Sequence, residues 1–469
     1  MLATPQIIEK LTALLGANAV IAEPSAMGNY LNEPRRRFHT PAAAVTLPDS
    51  VEKLQALLRL ADQHGIKLIP QGGNTGLVGA QVPLYGDEVI VSLTKLNRVR
   101  EVDAAAGVMV LEAGVTLQDA HAAAEAEGMM LPLWIASQGS ARIGGVLSSN
   151  AGGVQVLAYG NARELCMGVE AVLADGRLYQ GLNALKKDNT GYDLKDLLVG
   201  AEGTLGIITA AVLKLYPQPA AYETAIVNVT SPVEALALFQ QLRERAGATL
   251  TAFELMPRLG IDMQLTHKMI ERDPSASLSP WYVLTEISVP KGGAAGALQA
   301  GLEAALTEGL VDDAVIAESL ADRALMWTVR EQMSDVQSRE GASIKHDVSV
   351  PIAAVPELIA AGSAAAEKLV PGIRPCPFGH MGDGNIHFNF SQPVGADGKA
   401  FMEGAEPVHE AIYEIVTRLG GSISAEHGIG QLKAELLKSH KDKVALEMMR
   451  AIKQALDPKG ILNPGKVLG

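Results

Sequence analysis

The sequence predicts a multidomain α+β protein, and three observations support this prediction. The chain has 469 residues, which is more than one hydrophobic core supports, since single cores stop growing near roughly 250–300 residues. Short strand-like runs alternate with helices over about residues 38–217, and after Pro217 long helices separate strands that return beside one another. With 48% hydrophobic and 19% charged residues, the composition is that of a globular protein. We therefore expect two or three folded domains.

A helical lead-in over residues 1–37 precedes the first predicted domain, which covers residues 38–217. Its clearest helix is expected at 50–65, where Ser50 can cap the first turn and Gly65 lies just past the last one. A second helix is expected at 116–128, and strands are expected at 42–48, 67–73, 89–96, 108–114, 169–176 and 206–217.

The pattern changes after Pro217 and Pro219, where a second predicted domain begins that covers residues 218–400. Long helices between returning strands are typical of an antiparallel sheet backed by helices. A third, mostly helical part is expected over residues 401–469. In the second domain, strands are expected at 222–229, 281–290 and 342–351, and helices at 231–247, 293–309, 326–341 and 352–372.

Charge and cysteine content exclude several classes of protein. The 39 Lys and Arg residues against 52 Asp and Glu give a net charge of −13, which argues against a nucleic acid as the main partner. Cys166 and Cys376 are too few for a disulfide framework or a cysteine-rich zinc site, so we expect a reducing compartment, the cytoplasm. No apolar run reaches the roughly 18 residues that a membrane-spanning helix needs, so no membrane span is expected.

The first glycine-rich segment, PQGGNTGLVGA, follows a predicted strand at residues 70–80. Gly72, Gly73, Gly76 and Gly79 allow the backbone to approach a ligand closely. Successive amides in such a loop can form an anion-binding nest for a pyrophosphate. An ordinary strand-to-loop turn is the alternative interpretation.

Two further segments, residues 137–153 and 189–209, are also rich in glycine and poor in side-chain bulk. Three separated segments of this kind suit a long, extended cofactor that lies across the domain. The loops do not form a Rossmann fingerprint, because no G-x-G-x-x-G stands between strand and helix with an acidic residue about 20 positions on. Residues 460–467 are not a Walker A loop, because Val467 stands where Ser or Thr must hold Mg²⁺.

A pair of histidines, His380 and His387, lies in the segment GHMGDGNIHFNF. On a helix, seven residues would separate them by about 10 Å, and in one uninterrupted strand they would face opposite sides. The sequence Gly382-Asp383-Gly384-Asn385 is typical of a turn, so the histidines are expected to converge from the flanking strands. Asn389 lies two positions after His387, so the two share a face of a strand.

Glu426 and His427 stand beside glycines in the segment SAEHGIG, residues 424–430. Two histidines and one carboxylate suit a catalytic Zn²⁺ that keeps an open position for substrate oxygens. Mn²⁺, Fe²⁺ and Co²⁺ are alternatives for such a site. The alternative interpretation for each histidine, taken alone, is a structural role.

A cationic group is predicted in the second domain. Arg330 and Ser334 are four residues apart on a predicted helix and therefore share a face, and Lys345 follows on a predicted strand. An arginine fork, a lysine and a hydroxyl can together bind a carboxylate. A solvated, charged helix face is the alternative interpretation.

The three glycine-rich segments, in the order PQGGNTGLVGA, GSARIGGVLSSNAGG and NTGYDLKDLLVGAEGTLGIIT, resemble the FAD-binding domain of the vanillyl-alcohol oxidase and p-cresol methylhydroxylase superfamily. Within it, the chain is similar to the branch of D-lactate and D-2-hydroxyglutarate dehydrogenases, over essentially residues 38–469. The resemblance implies a two-part FAD-binding domain, an α+β substrate domain and a helical C-terminal part that completes the flavin site.

The resemblance also implies which residues contact FAD, largely through backbone groups. Some relatives attach FAD covalently through His or Cys, and neither residue type occurs in 70–80 or 137–153, so we expect non-covalent FAD. The implied contacts are Pro70, Gly72, Gly73, Asn74, Thr75, Gly76, Ser137, Gly139, Ser140, Gly144, Gly145, Ser148, Asn150, Gly203, Ile208 and Asn463.

By the same resemblance, His380, His387 and Glu426 match metal ligands, and His427 matches the residue that takes the substrate hydroxyl proton. Arg330, Ser334 and Lys345 match the groups that hold the distal carboxylate of D-2-hydroxyglutarate, and Asn389 is placed with the substrate. Ser334 stands where the family usually has threonine, which retains the hydroxyl. The implied reaction is the oxidation of a D-2-hydroxy acid, D-2-hydroxyglutarate or also D-malate, to the 2-oxo acid with FAD as hydride acceptor.

Two alternatives remain open from the sequence. A D-lactate or glycolate dehydrogenase would use the same groups on a smaller acid, although D-lactate relatives generally lack the lysine found here at position 345. A flavin-free binding subunit that retains the fold is the second. The electron acceptor is also open, and the relatives use electron-transfer flavoprotein or a quinone, among others. The identity of the metal and the oligomeric state are open as well, and a homodimer is one alternative.

Overall fold

The computed structural model describes residues 4–469. These residues form two compact units. Unit one contains the described residues up to Gly152, together with Gly160–Gln218 and Glu426–Gly469. Unit two contains Gly153–Tyr159 and Pro219–Ala425.

Both units contain helices and strands, and most of the sheets are antiparallel, as is typical of an α+β protein. The helices are α1 (Thr4–Leu15), α2 (Gly28–Leu31), α3 (Val51–His64), α4 (Leu117–Ala126), α5 (Ile143–Ser148), α6 (Val156–Tyr159), α7 (Ala162–Leu165), α8 (Lys195–Leu198), α9 (Pro232–Ala246), α10 (Arg258–Thr266), α11 (Ala297–Thr307), α12 (Leu320–Glu331), α13 (Met333–Arg339), α14 (Val355–Leu369), α15 (Gly398–Glu403), α16 (Glu406–Arg418), α17 (Ala434–His440) and α18 (Lys443–Leu456). The strands are β1 (Val20–Ile21), β2 (Ala44–Thr46), β3 (Leu68–Gln71), β4 (Val89–Ser92), β5 (Val99–Asp103), β6 (Val108–Glu112), β7 (Met129–Met130), β8 (Cys166–Val172), β9 (Leu178–Gly181), β10 (Ile207–Lys214), β11 (Tyr216–Pro217), β12 (Ala221–Val229), β13 (Leu250–Pro257), β14 (Trp281–Val289), β15 (Asp313–Ile316), β16 (Ser343–Ile344), β17 (Asp347–Ser349), β18 (Arg374–Phe378) and β19 (Asn385–Ser391).

The first sheet of unit one has the strand order β1-β2-β4-β3. β2 and β3 both run parallel to β4, and helix α3 connects β2 to β3. Near the C-terminus, Leu462 forms a parallel bridge to Leu68 and so extends this sheet. The C-terminal segment is therefore part of unit one.

Helix α3 shows how the sequence fixes an element. The Ser50 hydroxyl accepts a hydrogen bond from the backbone N–H of Lys53 at 3.2 Å and caps the first turn. Gly65 ends the helix at a φ of 67°, a left-handed conformation that suits glycine. The apolar face, Leu54, Leu57, Leu58 and Ala61, is fully buried in the core of unit one, and each leucine contributes roughly 1.5–3 kcal/mol by its burial.

The second sheet of unit one is antiparallel, in the order β5-β6-β10-β8-β9, and β7 pairs with β11 beside it. Its central strand β10 is buried along nearly its whole length. This burial on both faces explains why the strand is a continuous apolar run rather than an alternating one.

Unit two is built on the antiparallel sheet β13-β14-β12-β15. Helices α10, α12 and α13 cover one face through an apolar cluster that includes Met256, Leu284 and Met333. On the other face, Phe239 of α9 packs edge-on against Phe253 of β13, with ring centroids 5.2 Å apart. Both faces of the sheet are thus shielded by helices.

A second, smaller sheet of unit two has β19 at its centre. β18 pairs with it on one side, and β16 and β17 pair with it on the other, all antiparallel. The aromatic side chains Phe388 and Phe390 of β19 are fully buried, whereas His387 on the same strand is half-buried. The strand therefore presents its polar residues on one face only.

The structure differs from the sequence-based expectations at several elements. The helix expected at 326–341 ends at Glu331 and resumes at Met333. The strand expected at 342–351 is two short strands interrupted at Lys345 and His346. The lead-in contains strand β1 as well as helix, and the part of it at residues 1–3 lies outside the described residues. Strands β5, β7, β9, β13 and β15 were not expected.

The division of the C-terminal third also differs from the expected one. The expected helical part at 401–469 is split, because residues up to Ala425 group with unit two and Glu426–Gly469 group with unit one. Sheet pairing explains this split, since Ser422 bridges Ser349 within unit two whereas Leu462 bridges Leu68 within unit one. Over residues 4–469, the structure contains no helix with both the length and the apolar character that a membrane crossing requires.

Candidate cofactor cleft and acid-binding site

Unit one contains an open cleft that encloses about 860 Å³ of empty space, part of it open to solvent. The cleft is formed by the loop after β3, by the start of α5, by the loop before β10, and by His427. Most of the residues expected to contact FAD line it: Pro70, Gly72, Gly73, Asn74, Thr75, Gly76, Gly144, Gly145, Ser148, Gly203 and Ile208.

Two glycines in this lining have different physical roles. At Gly73 a Cβ atom would stand 1.8 Å from the carbonyl oxygen of Ser140, so any side chain would separate two backbone segments. At Gly145 a Cβ atom would meet nothing within 4 Å, since the position faces open space. Gly73 thus allows two loops to touch, and Gly145 keeps the cleft wide.

The cleft fits a polyanionic cofactor. The Nε atom of Arg142 is buried without a hydrogen-bond partner among the described residues, and Arg142 lines the cleft. The same guanidinium donates through Nη1 to the carbonyl of Gly114, which fixes its position. A fixed arginine beside glycine-rich backbone is suited to bind phosphate groups. Arg142 was missed in the sequence, although it stands inside the motif GSARIGG.

Five of the expected FAD residues do not line the cleft, namely Ser137, Gly139, Ser140, Asn150 and Asn463. Asn150 has a φ of 51° and accepts the backbone N–H of Arg163. The Asn463 side chain donates to the carbonyl oxygen of Glu202 at 2.6 Å. These residues shape the loops around the cleft, and their contact with FAD stays a prediction.

Glu202 is a buried carboxylate of the cleft lining that the sequence did not reveal. Its two oxygens accept the backbone N–H groups of Ile429 and Gly430, each at 2.7 Å. Burial raises the pKa of Glu202 to about 6, although these amides and nearby lysines act in the opposite direction. The carboxylate therefore fixes the loop that carries Glu426 and His427.

In unit two, His380 and His387 have ring centroids 5.5 Å apart with their planes at 75°. This separation allows one nitrogen of each ring to reach a shared cation, given metal–nitrogen distances of about 2.1 Å. The expectation that both histidines lie on strands was wrong for His380. It lies in the turn just after β18, because β18 ends at Phe378, whereas His387 lies on β19.

Glu254 on β13 connects two of the expected site residues. Its carboxylate accepts the Nε–H of Arg330 at 2.6 Å and pairs with Nδ1 of His380 at 2.7 Å. Burial opposes the ionisation of Glu254, but attraction to His380 and Arg330 outweighs it and lowers the pKa to about 2. Glu254 was also missed in the sequence, where its one signal is a single acid inside the apolar run AFELMP.

Two of the three residues expected to bind a second carboxylate, Ser334 and Lys345, are in contact in unit two. Nζ of Lys345 lies 3.5 Å from the Ser334 hydroxyl, and both side chains are half-buried. The Arg330 guanidinium is buried and lies 5.0 Å from the centroid of the Phe378 ring. Asn389 is buried on β19, two residues beyond His387.

Glu426 and His427 begin the last segment of unit one, and both are half-buried. The residue before them, Ala425, closes unit two, where its backbone N–H donates to the carbonyl of Asp347 at 3.3 Å. Asp347 stands opposite His387 in the β17–β19 pairing. The end of unit two at Ala425 is therefore hydrogen-bonded to β17, the neighbour of the strand that carries His387.

Comparison with known families and relatives agrees with this description. Residues 42–181 match the family described as "FAD binding domain", and residues 218–467 match "FAD linked oxidases, C-terminal domain". A p-cresol methylhydroxylase structure with substrate bound superposes with a TM-score of 0.78 at 16% identity, over 99% of this chain and 96% of that one. At this identity the likeness concerns the fold, and it confirms the fold type that the resemblance implied.

Sequence relatives are more specific. "D-2-hydroxyglutarate dehydrogenase" of Xanthomonas citri pv. viticola is 36% identical over 95% of this chain and 93% of its own length. The mitochondrial enzyme of that name from Arabidopsis thaliana is 33% identical, over 97% of this chain and 80% of its own length. The one from Bos taurus is 37% identical, over 96% and 81%. This chain therefore belongs to the family of FAD-linked oxidases that contains the D-2-hydroxyglutarate dehydrogenases, and it is an oxidoreductase with an FAD-binding domain.

Proposed function

We propose that this enzyme oxidises a D-2-hydroxy acid with a second carboxylate to the 2-oxo acid. The preferred substrate is D-2-hydroxyglutarate, and D-malate is the second candidate. The relatives that carry this name support the substrate class. The observation that carries the choice of a dicarboxylate is the contact in unit two between Nζ of Lys345 and the Ser334 hydroxyl, which lie 3.5 Å apart. We propose that the Arg330 guanidinium completes this group. D-lactate has only one carboxylate and would leave this group unused.

Two groups beyond the protein chain are needed. FAD, held non-covalently by the cleft of unit one, would supply the hydride acceptor. A divalent cation, Zn²⁺ or alternatively Mn²⁺, Fe²⁺ or Co²⁺, held by His380, His387 and Glu426, would lower the pKa of the substrate hydroxyl. The paired rings of His380 and His387 support this ligand set.

The side chains of this protein bind, orient and deprotonate the substrate. Arg330, Ser334 and Lys345 hold the distal carboxylate and thereby orient the single hydrogen of C2 toward the acceptor. Asn389 donates to an oxygen of the substrate from the same strand as His387. His427, which lines the cleft of unit one, takes the hydroxyl proton, because a neutral imidazole is a suitable base near pH 7.

The electron acceptor that reoxidises the enzyme belongs to the same proposal. Electron-transfer flavoprotein or a quinone is the acceptor that we propose to test, and a homodimer is the oligomeric state to test beside it. The cytoplasm is the proposed compartment, since Cys166 and Cys376 are both buried as free thiols.

A substrate panel with an artificial dye as acceptor tests the proposal. Values of kcat/KM are measured for D-2-hydroxyglutarate, D-malate, D-lactate and glycolate, each with and without prior treatment with a chelator. We expect the dicarboxylates to be preferred, and we expect chelation to abolish turnover until Zn²⁺ or another of the four cations is returned. A preference for D-lactate or glycolate would show that the substrate is the smaller acid and not a dicarboxylate. Full activity after exhaustive chelation would show that the reaction needs no metal.

A further inference from the structure

The carboxylate of Glu254 contacts two groups to which the proposed function gives different tasks. One oxygen accepts from Nε of Arg330 at 2.6 Å, and the other pairs with Nδ1 of His380 at 2.7 Å. All three side chains are buried, with exposed fractions of 1% for Glu254, 6% for Arg330 and 7% for His380. Both contacts join distant parts of the chain, 76 and 126 residues apart.

The backbone around Glu254 holds the same region in place. Leu255 exchanges two hydrogen bonds with Gly379, at 2.8 and 3.0 Å, and Phe253 accepts the N–H of Gly382 at 3.2 Å. The turn that carries His380 is therefore bound to β13 on both sides of Glu254. Because the turn and the strand are joined, the carboxylate meets the imidazole in one fixed orientation.

We propose that Glu254 is a positioning residue that orients His380 for metal binding and Arg330 for the second carboxylate of the substrate. This inference rests on the proposed function and adds a group that links its two binding tasks. An ionised carboxylate can only accept, so His380 presents Nδ1–H to Glu254 and would keep the lone pair of Nε2 available for a cation. A carboxylate behind a metal-binding histidine fixes the tautomer and increases the basicity of the ligand.

The same argument applies to the arginine. Glu254 engages Nε of Arg330, so the edge formed by Nη1 and Nη2 is the one that can present a fork to a substrate carboxylate. The Phe378 ring, 5.0 Å from the guanidinium carbon, restricts rotation of that fork. Loss of Glu254 is thus expected to disturb metal affinity and dicarboxylate binding together.

A second buried glutamate offers a matched control. Glu286 lies on the neighbouring strand β14 and accepts from Arg323 and from Trp327, both on α12, the helix that also carries Arg330. It is 3% exposed, and its carboxylate accepts from Thr224, Arg323 and Trp327 rather than from His380 or Arg330. A purely structural effect of replacing a buried glutamate on this sheet would affect Glu286→Gln as it affects Glu254→Gln.

The experiment compares the flavin-containing wild type, Glu254→Gln and Glu286→Gln after removal of metal by a chelator. Titration with Zn²⁺ against a chromophoric competitor gives the metal affinity of each protein. KM and kcat for D-2-hydroxyglutarate and D-lactate are then measured at saturating Zn²⁺. Glutamine has the shape of glutamate, but it cannot accept hydrogen bonds on both sides.

We expect Glu254→Gln to weaken Zn²⁺ binding about 10–100-fold and to raise KM for D-2-hydroxyglutarate relative to KM for D-lactate. Glu286→Gln is expected to leave both quantities unchanged. Glu254→Asp keeps the charge but is one methylene too short to meet both partners, and it serves as the second variant if Glu254→Gln does not fold. Its Zn²⁺ affinity is expected to fall in the same direction.

Wild-type Zn²⁺ affinity in the Glu254 variants would overturn the positioning role and leave the proposed function standing, as long as the wild type oxidises the acid. An equal loss of affinity in Glu286→Gln would overturn it as well. If the wild-type enzyme is active but binds no Zn²⁺, the proposed metal site is wrong, and this inference is wrong with it.

Discussion

The carboxylate of Glu202 accepts a hydrogen bond from the backbone N–H of Gly430 at 2.7 Å, across 228 residues of sequence. The neighbouring amide of Ile429 donates to the other oxygen of the same carboxylate. A single buried side chain thus fixes the loop that begins with Glu426 and His427, and its ionisation has consequences for stability.

Replacement of Glu202 by glutamine should remove a pH dependence of folding. The pKa of Glu202 in the folded chain is about 6, above the ordinary value of 4.5, because burial disfavours the charged form. Between these two pH values the folded chain binds more protons than the unfolded chain, so the free energy of unfolding falls as pH rises. This stabilising contribution is complete below pH 4.5, is lost above pH 6, and amounts to about 2 kcal/mol.

Chemical denaturation of wild type and Glu202→Gln at several pH values between 4.5 and 7 checks this prediction. The difference between the two free energies of unfolding should change by about 2 kcal/mol across the window. Glu403→Gln, which alters an exposed carboxylate, is the control. Its free energy of unfolding should change with pH in the same way as that of the wild type. A Glu202→Gln difference that stays constant with pH would contradict the assignment.

Two glycine substitutions should separate folding from flavin binding. Gly145→Ala adds a methyl group that faces open space at the cleft, so the fold should be retained and FAD affinity should fall about 10-fold or more, as expected for overpacking a site. Gly73→Ala forces a Cβ atom against the Ser140 carbonyl and should lower the free energy of unfolding by about 1–3 kcal/mol. FAD titration of the apoprotein and thermal unfolding measure the two effects. Equal FAD affinity in Gly145→Ala and wild type would show that the cofactor does not reach α5.

Removal of the lysine at the acid-binding group should affect dicarboxylates selectively. Lys345→Ala removes a charged donor, and kcat/KM for D-2-hydroxyglutarate should fall about 10–100-fold, since hydrogen bonds to charged groups contribute roughly 1.5–3 kcal/mol. Turnover of D-lactate should be unaffected. Lys399→Ala, an exposed lysine of α15, is the matched control in steady-state kinetics. An equal loss on both acids would assign Lys345 a structural role instead.

The flavin should leave the protein on acid denaturation. Burial raises the thiol pKa of both Cys166 and Cys376 to about 12, which keeps them protonated and unreactive, and neither residue lines the cleft. After acid precipitation, the visible absorption of oxidised flavin is expected in the supernatant and not in the pellet. A yellow pellet would indicate a covalent bond, for which His427 is the histidine in the cleft lining. A purified protein without any flavin absorption would favour the flavin-free binding subunit.

Much of the fold follows from local rules that act within a few residues. Ser50 caps α3 and Gly65 ends it because the hydroxyl and the left-handed turn satisfy the helix ends where they stand. The glycine-rich loop that contains Gly73 was recognisable because close backbone approach demands the absence of a side chain, which is visible in the sequence. The class of fold and the cleft were therefore predictable before any coordinates.

The sequence by itself determined the residue types of the site: the glycine loops, the histidine pair, and the Arg330 and Lys345 cations. Only the tertiary structure decided that Glu254 joins Arg330 to His380 and that Glu202 holds the amide of Gly430. The physical reason is that a carboxylate has no preferred partner along the chain. Its partners are chosen by the sheet pairing and burial that bring residues 76 to 228 positions apart within hydrogen-bond distance.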